Sequence, residues 1–356
     1  MSNPARSDPA LAHALLAAMS LAQKAGQLMC VGFEGSEQTP QLRQLIEDLH
    51  LGGLVCFERN VASRPALTRL IADAQAAARQ SGHPTLLIAI DQEGGRVTRL
   101  RADKGFSEFP SPSEVAAAGG PDAVRRVAAL MAADLLDVGI NMNLAPVLDI
   151  CDSSPANPVI NTRSFGSDPH LVAACGAALI EGLQAAGVMA VGKHFPGHGD
   201  TTTDSHVALP VVAHGRARLE AVEFVPFQAA IAAGVAGIMS AHVTYPAIEP
   251  VVDLPATLSR RVMTDLLRHE MGYTGLALTD SLEMGALATS GYPAPLAALR
   301  ALAAGADVLL FNTGYDILQE AHAAIVGAVE QGRLSPARLD EAVLRILTAK
   351  QRFGLL

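Results

Sequence analysis

Short apolar runs rich in Val, Ile and Leu alternate along the whole chain with Ala/Leu-rich amphipathic stretches. That alternation constrains the fold more than any other feature, because it is the pattern of parallel strands joined by crossover helices. The spacing predicts strands over 28–33, 53–57, 85–90, 141–148, 189–192, 237–241, 276–279 and 307–311. Helices are expected near 40–49, 65–81, 120–138, 170–186, 216–233, 259–271, 292–304 and 316–331. An opening helix over 20–27 starts with a capping box of Ser20 and Gln23, and a closing helix starts at Ser335 as N-cap with Pro336 in its first turn. Eight strand–helix units with no long Pro/Gly/Ser linker predict an α/β protein, a single (β/α)8 TIM-type barrel occupying 1–356. A doubly wound open sheet has the same local pattern.

The 26 Lys+Arg against 35 Asp+Glu set a formal charge of −9, which argues against nucleic acid or an anionic membrane as the main partner. With half of the residues hydrophobic and 17% charged, the chain suits one large buried core. Cys30, Cys56, Cys151 and Cys175 are scattered and read as reduced thiols. Asp8, His13, Gln23 and Lys24 interrupt the first apolar stretch, and no later run reaches the roughly 18 residues a bilayer requires. A soluble cytoplasmic monomer is expected. Trp is absent and aromatics are only 4%, so a sugar site here would be a small polar pocket without a long aromatic platform.

In a barrel the loops after the strands build the active face. Arg59 and Asn60 follow the second strand, Asp91 and Glu93 the third, Asp149 the fourth, and Lys193 and His194 the fifth. His242, Asp280 and Asn312 follow the last three. Any one of them could merely cap a helix or satisfy a loop. Together they converge on one mouth.

Three stretches carry chemistry. In 193–206 (KHFPGHGDTTTDSH), Gly197 and Gly199 and the run Thr201 to Thr203 predict a mobile loop. Asp204 can accept from the His206 imidazole, leaving its other nitrogen to move a proton near neutral pH. His194, His198 and His206 could instead ligate zinc, although they lack a zinc signature such as H-E-x-x-H, or only hydrogen-bond the loop. In 266–281, Asp280 emerges at a strand end, where a carboxylate can attack an electrophilic carbon, cap the next helix or hold Lys193. In 91–96 (DQEGGR), paired glycines allow backbone to approach a ligand, and Asp91 can hold two hydroxyls.

These segments resemble the family 3 glycoside hydrolases. The Asp280 segment is similar to that family's nucleophile signature, with Ala277 where a larger apolar residue is usual, and 193–206 is similar to its β-N-acetylhexosaminidase branch, the muropeptide-recycling enzymes of bacteria. Further similarity covers 20–29, Phe57 with Arg59 and Asn60, 91–99, 161–166 and 338–355.

The resemblance implies a retaining glycosidase with no cofactor and no metal, acting on terminal β-linked N-acetylglucosamine. Asp280 would be the nucleophile and His206, oriented by Asp204, the acid/base. Asp91, Arg99, Arg163, Lys193 and His194 would bind the sugar. Many larger members draw their acid/base from a second domain; a chain that closes after its last barrel helix is expected to draw it from the loop. A phosphorylase, in which phosphate attacks the glycosyl-enzyme, and a β-glucosidase are the alternatives within the family. A catalytically silent sugar-binding barrel and a metal-dependent hydrolase lie outside it.

Overall fold

Eight strands close into one parallel barrel: β1 (Met29–Gly32), β2 (Gly53–Cys56), β3 (Leu87–Ile90), β4 (Met142–Asn143), β5 (Met189–Phe195), β6 (Gly237–Ser240), β7 (Leu276–Ser281) and β8 (Val308–Phe311). Each pairs with the next, and Cys30 of β1 sits opposite Leu310 of β8 to complete the ring. The computed structural model describes residues 9–151, 157, 159–201, 209–312 and 314–356. The expected barrel is therefore the observed one. Apart from Asp280, every strand residue is buried, because side chains point either into the barrel or against the helices outside it. That double burial is why the strands read as continuous apolar runs.

The helices are built from local signals. Ser20 and Gln23 form the expected capping box at the head of Leu21–Gln27. Thr39 accepts from Leu42 N ahead of Pro40–Leu49, whose Leu42, Leu45, Ile46 and Leu49 form the buried stripe. Ser335 stands at the N-cap of Pro336–Arg352 as expected, but its hydroxyl makes no capping bond. Pro112–Asp137 is interrupted at Gly119 and Gly120, where Gly120 takes a φ of 54°. A helix at Pro9–Ala18, packed on the closing helix, was not expected from its weakly patterned sequence.

Strand boundaries shift most at the ends of β4 and β5, and β7 runs two residues past the expected 279, through Ser281. β4 stops at Asn143, short of the expected 148, although the chain keeps beside β5: Ala145 O accepts from Val191 N and Pro146 O from Lys193 N, while Pro146 has no N–H to donate in return. Val147 pairs with Lys193 as an isolated bridge. β5 runs three residues beyond 192, so Lys193 and His194 lie within the strand and not in the loop after it. All four cysteines are free, buried thiols. Among the described residues, no helix is long and apolar enough to cross a membrane.

At the opposite end of the barrel from the strand C-termini, fully buried Asp307 collects Arg268 (2.5 Å), Arg338 (3.1 Å) and Arg345 (3.1 Å) and accepts from Ala277 N (3.0 Å). It ties β7 and β8 to the outer helices.

Candidate active site

The strand C-termini open into a cleft. Asp91, Arg99, Arg163, Lys193, His194, His198, Asp280 and Ser281 line it, with Phe57, Leu144, Met239, Leu310 and Phe311 among the apolar walls. Six of the eight site residues expected from sequence thus meet at one cavity. Asp204 and His206 lie outside the described residues.

Lys193 reaches inward from β5 and is buried, with Nζ 2.6 Å from Asp91 Oδ1 and 2.6 Å from Glu93 Oε1. Glu93 in turn takes a two-pronged bond from Arg163, Nε at 2.8 Å and Nη2 at 2.9 Å. Burial alone would raise the Glu93 carboxyl; the charges of Arg163 and Lys193 and their hydrogen bonds instead hold it far below the usual carboxylate range. Burial likewise disfavours the Lys193 ammonium, yet Asp91 and Glu93 lift its pKa above the ordinary value, so it stays charged. The cation that Asp280 could have held is thus held by Asp91 and Glu93.

The loop after β3 places Arg99. Buried Gln92 accepts from Arg99 N and Leu100 N (both 3.0 Å) and donates to Leu100 O (3.2 Å), bending the chain so that Arg99 returns to the cleft, 3.6 Å from Asp91. The glycine pair works differently from expectation. A Cβ on Gly94 would stand 2.3 Å from Pro110 O, and one on Gly95 2.7 Å from Ser111 Cβ. Both glycines take positive φ and pack the loop against its own chain, not against a ligand.

His194 is oriented from behind. Its Nδ1 lies 2.6 Å from Oδ2 of fully buried Asp149, which also accepts from His194 N (3.2 Å) and His198 N (2.7 Å). Desolvation would raise Asp149, but His194, His198 and these bonds bring it below its ordinary value. Burial pushes the His198 imidazole down to about 4, so it is neutral at pH 7, with Nδ1 2.8 Å from Thr201 Oγ1.

The start of the 193–206 loop is not loose where it is described. Residues 193–199 and 201 are buried, and a Cβ on Gly199 would stand 1.8 Å from Ile150 O. Asn157 fastens it to the Arg163 loop, donating to His198 O (3.0 Å) and Gly199 O (2.8 Å) while accepting from Ile160 N (2.9 Å). Residues 202–208 lie outside the described residues. Among the described residues, no group of three His, Cys, Asp or Glu side chains is placed to hold a metal ion.

Asp280 is the penultimate residue of β7 and lines the cleft. Its Oδ1 accepts from Ser281 N at 2.7 Å. Burial would raise the carboxyl, but the charges of His242 and His194, the Ser281 bond and Lys193 hold it below its ordinary value, ionised at neutral pH. His242 stays behind the wall, Nε2 donating to Ser281 O (2.8 Å), with Nδ1 2.8 Å from Thr257 Oγ1. Asn60 is a loop fastener, accepting from Phe57 N (2.8 Å) and donating to Phe33 O (3.0 Å) and Gly35 O (2.7 Å). Arg59 also holds loop carbonyls, at Phe33 and Asn312.

Residues 20–349 match the model of the glycosyl hydrolase family 3 N-terminal domain. The chain belongs to glycosyl hydrolase family 3. It is 37% identical over 333 residues to a beta-hexosaminidase A of Pseudoalteromonas piscicida, covering 88% of this chain and 55% of that protein. It is 40% identical over 291 residues to a beta-hexosaminidase of Alkalilimnicola ehrlichii, covering 80% of each. A solved family 3 beta-N-acetylglucosaminidase from Paenibacillus sp. str. FPU-7 superposes with a TM-score of 0.92 at 46% identity, over 95% of this chain and 63% of that one. The chain thus spans less than two thirds of the first and third of these proteins.

Ser281 was assigned no role from sequence, and Glu93, Asp149 and His198 were read there as strand-end or loop residues without a place in the sugar-binding set. Glu93 stands two residues from Asp91, a spacing that lets two carboxylates share one cation. Asp149 and His198 carried the strand-end and loop signals, but sequence has no means of separating a side chain that lines the cleft from one that braces it.

Proposed function

We propose that this protein is a retaining exo-β-N-acetylglucosaminidase that removes terminal β-linked N-acetylglucosamine from peptidoglycan-derived muropeptides, as a cytoplasmic monomer whose single barrel is the catalytic domain. The observation that carries the reading is the ionised Asp280 carboxylate at the cleft floor, facing polar groups suited to sugar hydroxyls. The beta-hexosaminidase and beta-N-acetylglucosaminidase relatives support the choice of sugar.

Asp280 attacks the anomeric carbon as the aglycone oxygen leaves, forming a glycosyl ester with inversion at that carbon. His206, oriented by Asp204, donates the proton to the leaving oxygen and then takes one from water, which attacks the ester and restores the configuration. Asp91, Arg99, Lys193, Arg163 and His194 bind the hydroxyls; their contacts with one another and with Glu93 and Asp149 fix them before substrate arrives, so little ordering remains to oppose binding. No metal or cofactor takes part.

Product analysis with an aryl β-N-acetylglucosaminide in phosphate buffer tests this. Free N-acetylglucosamine of retained configuration at first release is expected; the sugar 1-phosphate would mean phosphorolysis. His206→Ala should slow poor leaving groups far more than activated ones. An equal effect on both would remove His206 from the acid role.

A further inference from the structure

Among the described residues, two residues lining the cleft carry buried side-chain polar atoms without a hydrogen-bond partner: Arg99, at Nε, and Ser281, at Oγ. Arg99 belongs to the sugar-binding set already described. Ser281 does not. Its residue is only 5% exposed, and a buried hydroxyl left unpaired is unfavourable unless something that enters the site satisfies it.

The backbone on both sides of that hydroxyl is fixed. Ser281 N donates to Asp280 Oδ1 (2.7 Å), and Ser281 O accepts from His242 Nε2 (2.8 Å), so the side chain has only its χ1 rotation left. One oxygen of the nucleophile is thereby held and the other is available to the anomeric carbon. The flanking strands contribute Met239 from β6 and Leu310 from β8, the latter directly opposite Ser281 in the sheet register; both line the cleft. A donor one residue from the nucleophile, opposite Leu310 in a cleft that Met239 also lines, complements an acetamide, which has a carbonyl to accept and a methyl to bury.

We propose that Ser281 is a specificity-determining residue whose hydroxyl donates to the carbonyl oxygen of the sugar's 2-acetamido group. The inference rests on the reading of the substrate as a β-N-acetylglucosaminide. The ring carbon attacked by Asp280 has two ring neighbours, the ring oxygen and C2, and only C2 carries a substituent. A site with a polar group built for that substituent discriminates by leaving the group unpaired when the substituent is absent.

The test compares kcat/KM for an aryl β-N-acetylglucosaminide and the matching β-glucoside in the wild type, Ser281→Ala and Ser281→Thr. The ratio of the two values does not depend on the fraction of folded enzyme, so a partly misfolded variant still reports. Ser281→Ala should lower the N-acetylglucosaminide-to-glucoside preference about tenfold, and Ser281→Thr, which keeps the hydroxyl, should recover most of it. The preference for N-acetylglucosamine over glucose as a competitive inhibitor should fall in parallel. A Ser281→Ala ratio within about twofold of wild type would overturn the assignment while leaving the enzyme a β-N-acetylglucosaminidase. A wild type that turns over the glucoside and not the N-acetylglucosaminide would overturn both.

Discussion

Replacing Glu93 with Gln removes one buried negative charge from between two cations while keeping its shape. The carboxylate is 1% exposed and makes three contacts of 2.6 to 2.9 Å, two from Arg163 and one from Lys193. Each pair of charges, with centres about 4 Å apart in an effective dielectric of about 20, attracts by about 4 kcal/mol. Desolvation of the carboxylate offsets part of the sum of two such pairs, and the net cost of removing one partner from a buried ion cluster is about 3–5 kcal/mol. A Gln amide can satisfy one of the cations with its oxygen, but its NH2 must face N–H donors of the other. At about 2.1 cal/mol/K per residue, the 356-residue chain unfolds with an entropy of about 0.75 kcal/mol/K, so Tm should fall by about 4–7 °C.

Because Arg163 and Lys193 also line the cleft, kcat/KM should fall by about 100-fold, the scale on which small misplacements act. The pH dependence supplies the sign. The Glu93 pKa is depressed in the folded protein, so its contribution is fully present above the ordinary carboxylate value of about 4.3 and is lost as pH falls below it. The Tm difference between wild type and Glu93→Gln should therefore shrink from pH 5 to pH 3. Calorimetry and initial rates read all three effects. A Tm change below about 1 °C with kcat/KM within about twofold of wild type would refute the coupling of these charges.

Asp149→Asn keeps a hydrogen-bonding group behind His194 but removes the charge that His194 and His198 share; kcat/KM on the aryl substrate should fall at least about tenfold with the fold intact by circular dichroism. Asp307→Ala, at the other end of the barrel, should lower stability to urea by about 3–5 kcal/mol and leave kcat per folded molecule unchanged. A loss of kcat without a loss of stability would contradict the division between the two ends.

The barrel was legible in the sequence because all eight strands are buried on both faces and so appear as unbroken apolar runs, with helices marked by caps and prolines such as Thr39 with Pro40. The ends of β4 and β5 were not. β4 stops at Asn143 although the apolar run continues to 148, and β5 continues through Lys193 and His194, whose charge and polarity look like a loop until Asp91, Glu93 and Asp149 are seen to satisfy them. Asp280, Lys193 and Arg163 were readable through strand-end placement and family resemblance. Glu93, which holds Lys193 and Arg163, and Asp149, which holds His194, act through contacts between residues far apart in sequence. The role of Gly94 and Gly95 was misjudged for the same reason, since Pro110 and Ser111 fill the space that a ligand was expected to approach.

Trapping the covalent intermediate tests the central claim most directly. After incubation with a 5-fluoro N-acetylglucosaminyl fluoride, peptide mass spectrometry should find one glycosyl adduct, carried on Asp280 and absent from Asp280→Ala. An adduct on a different carboxylate, or turnover of the reagent with inversion and no adduct, would contradict the account.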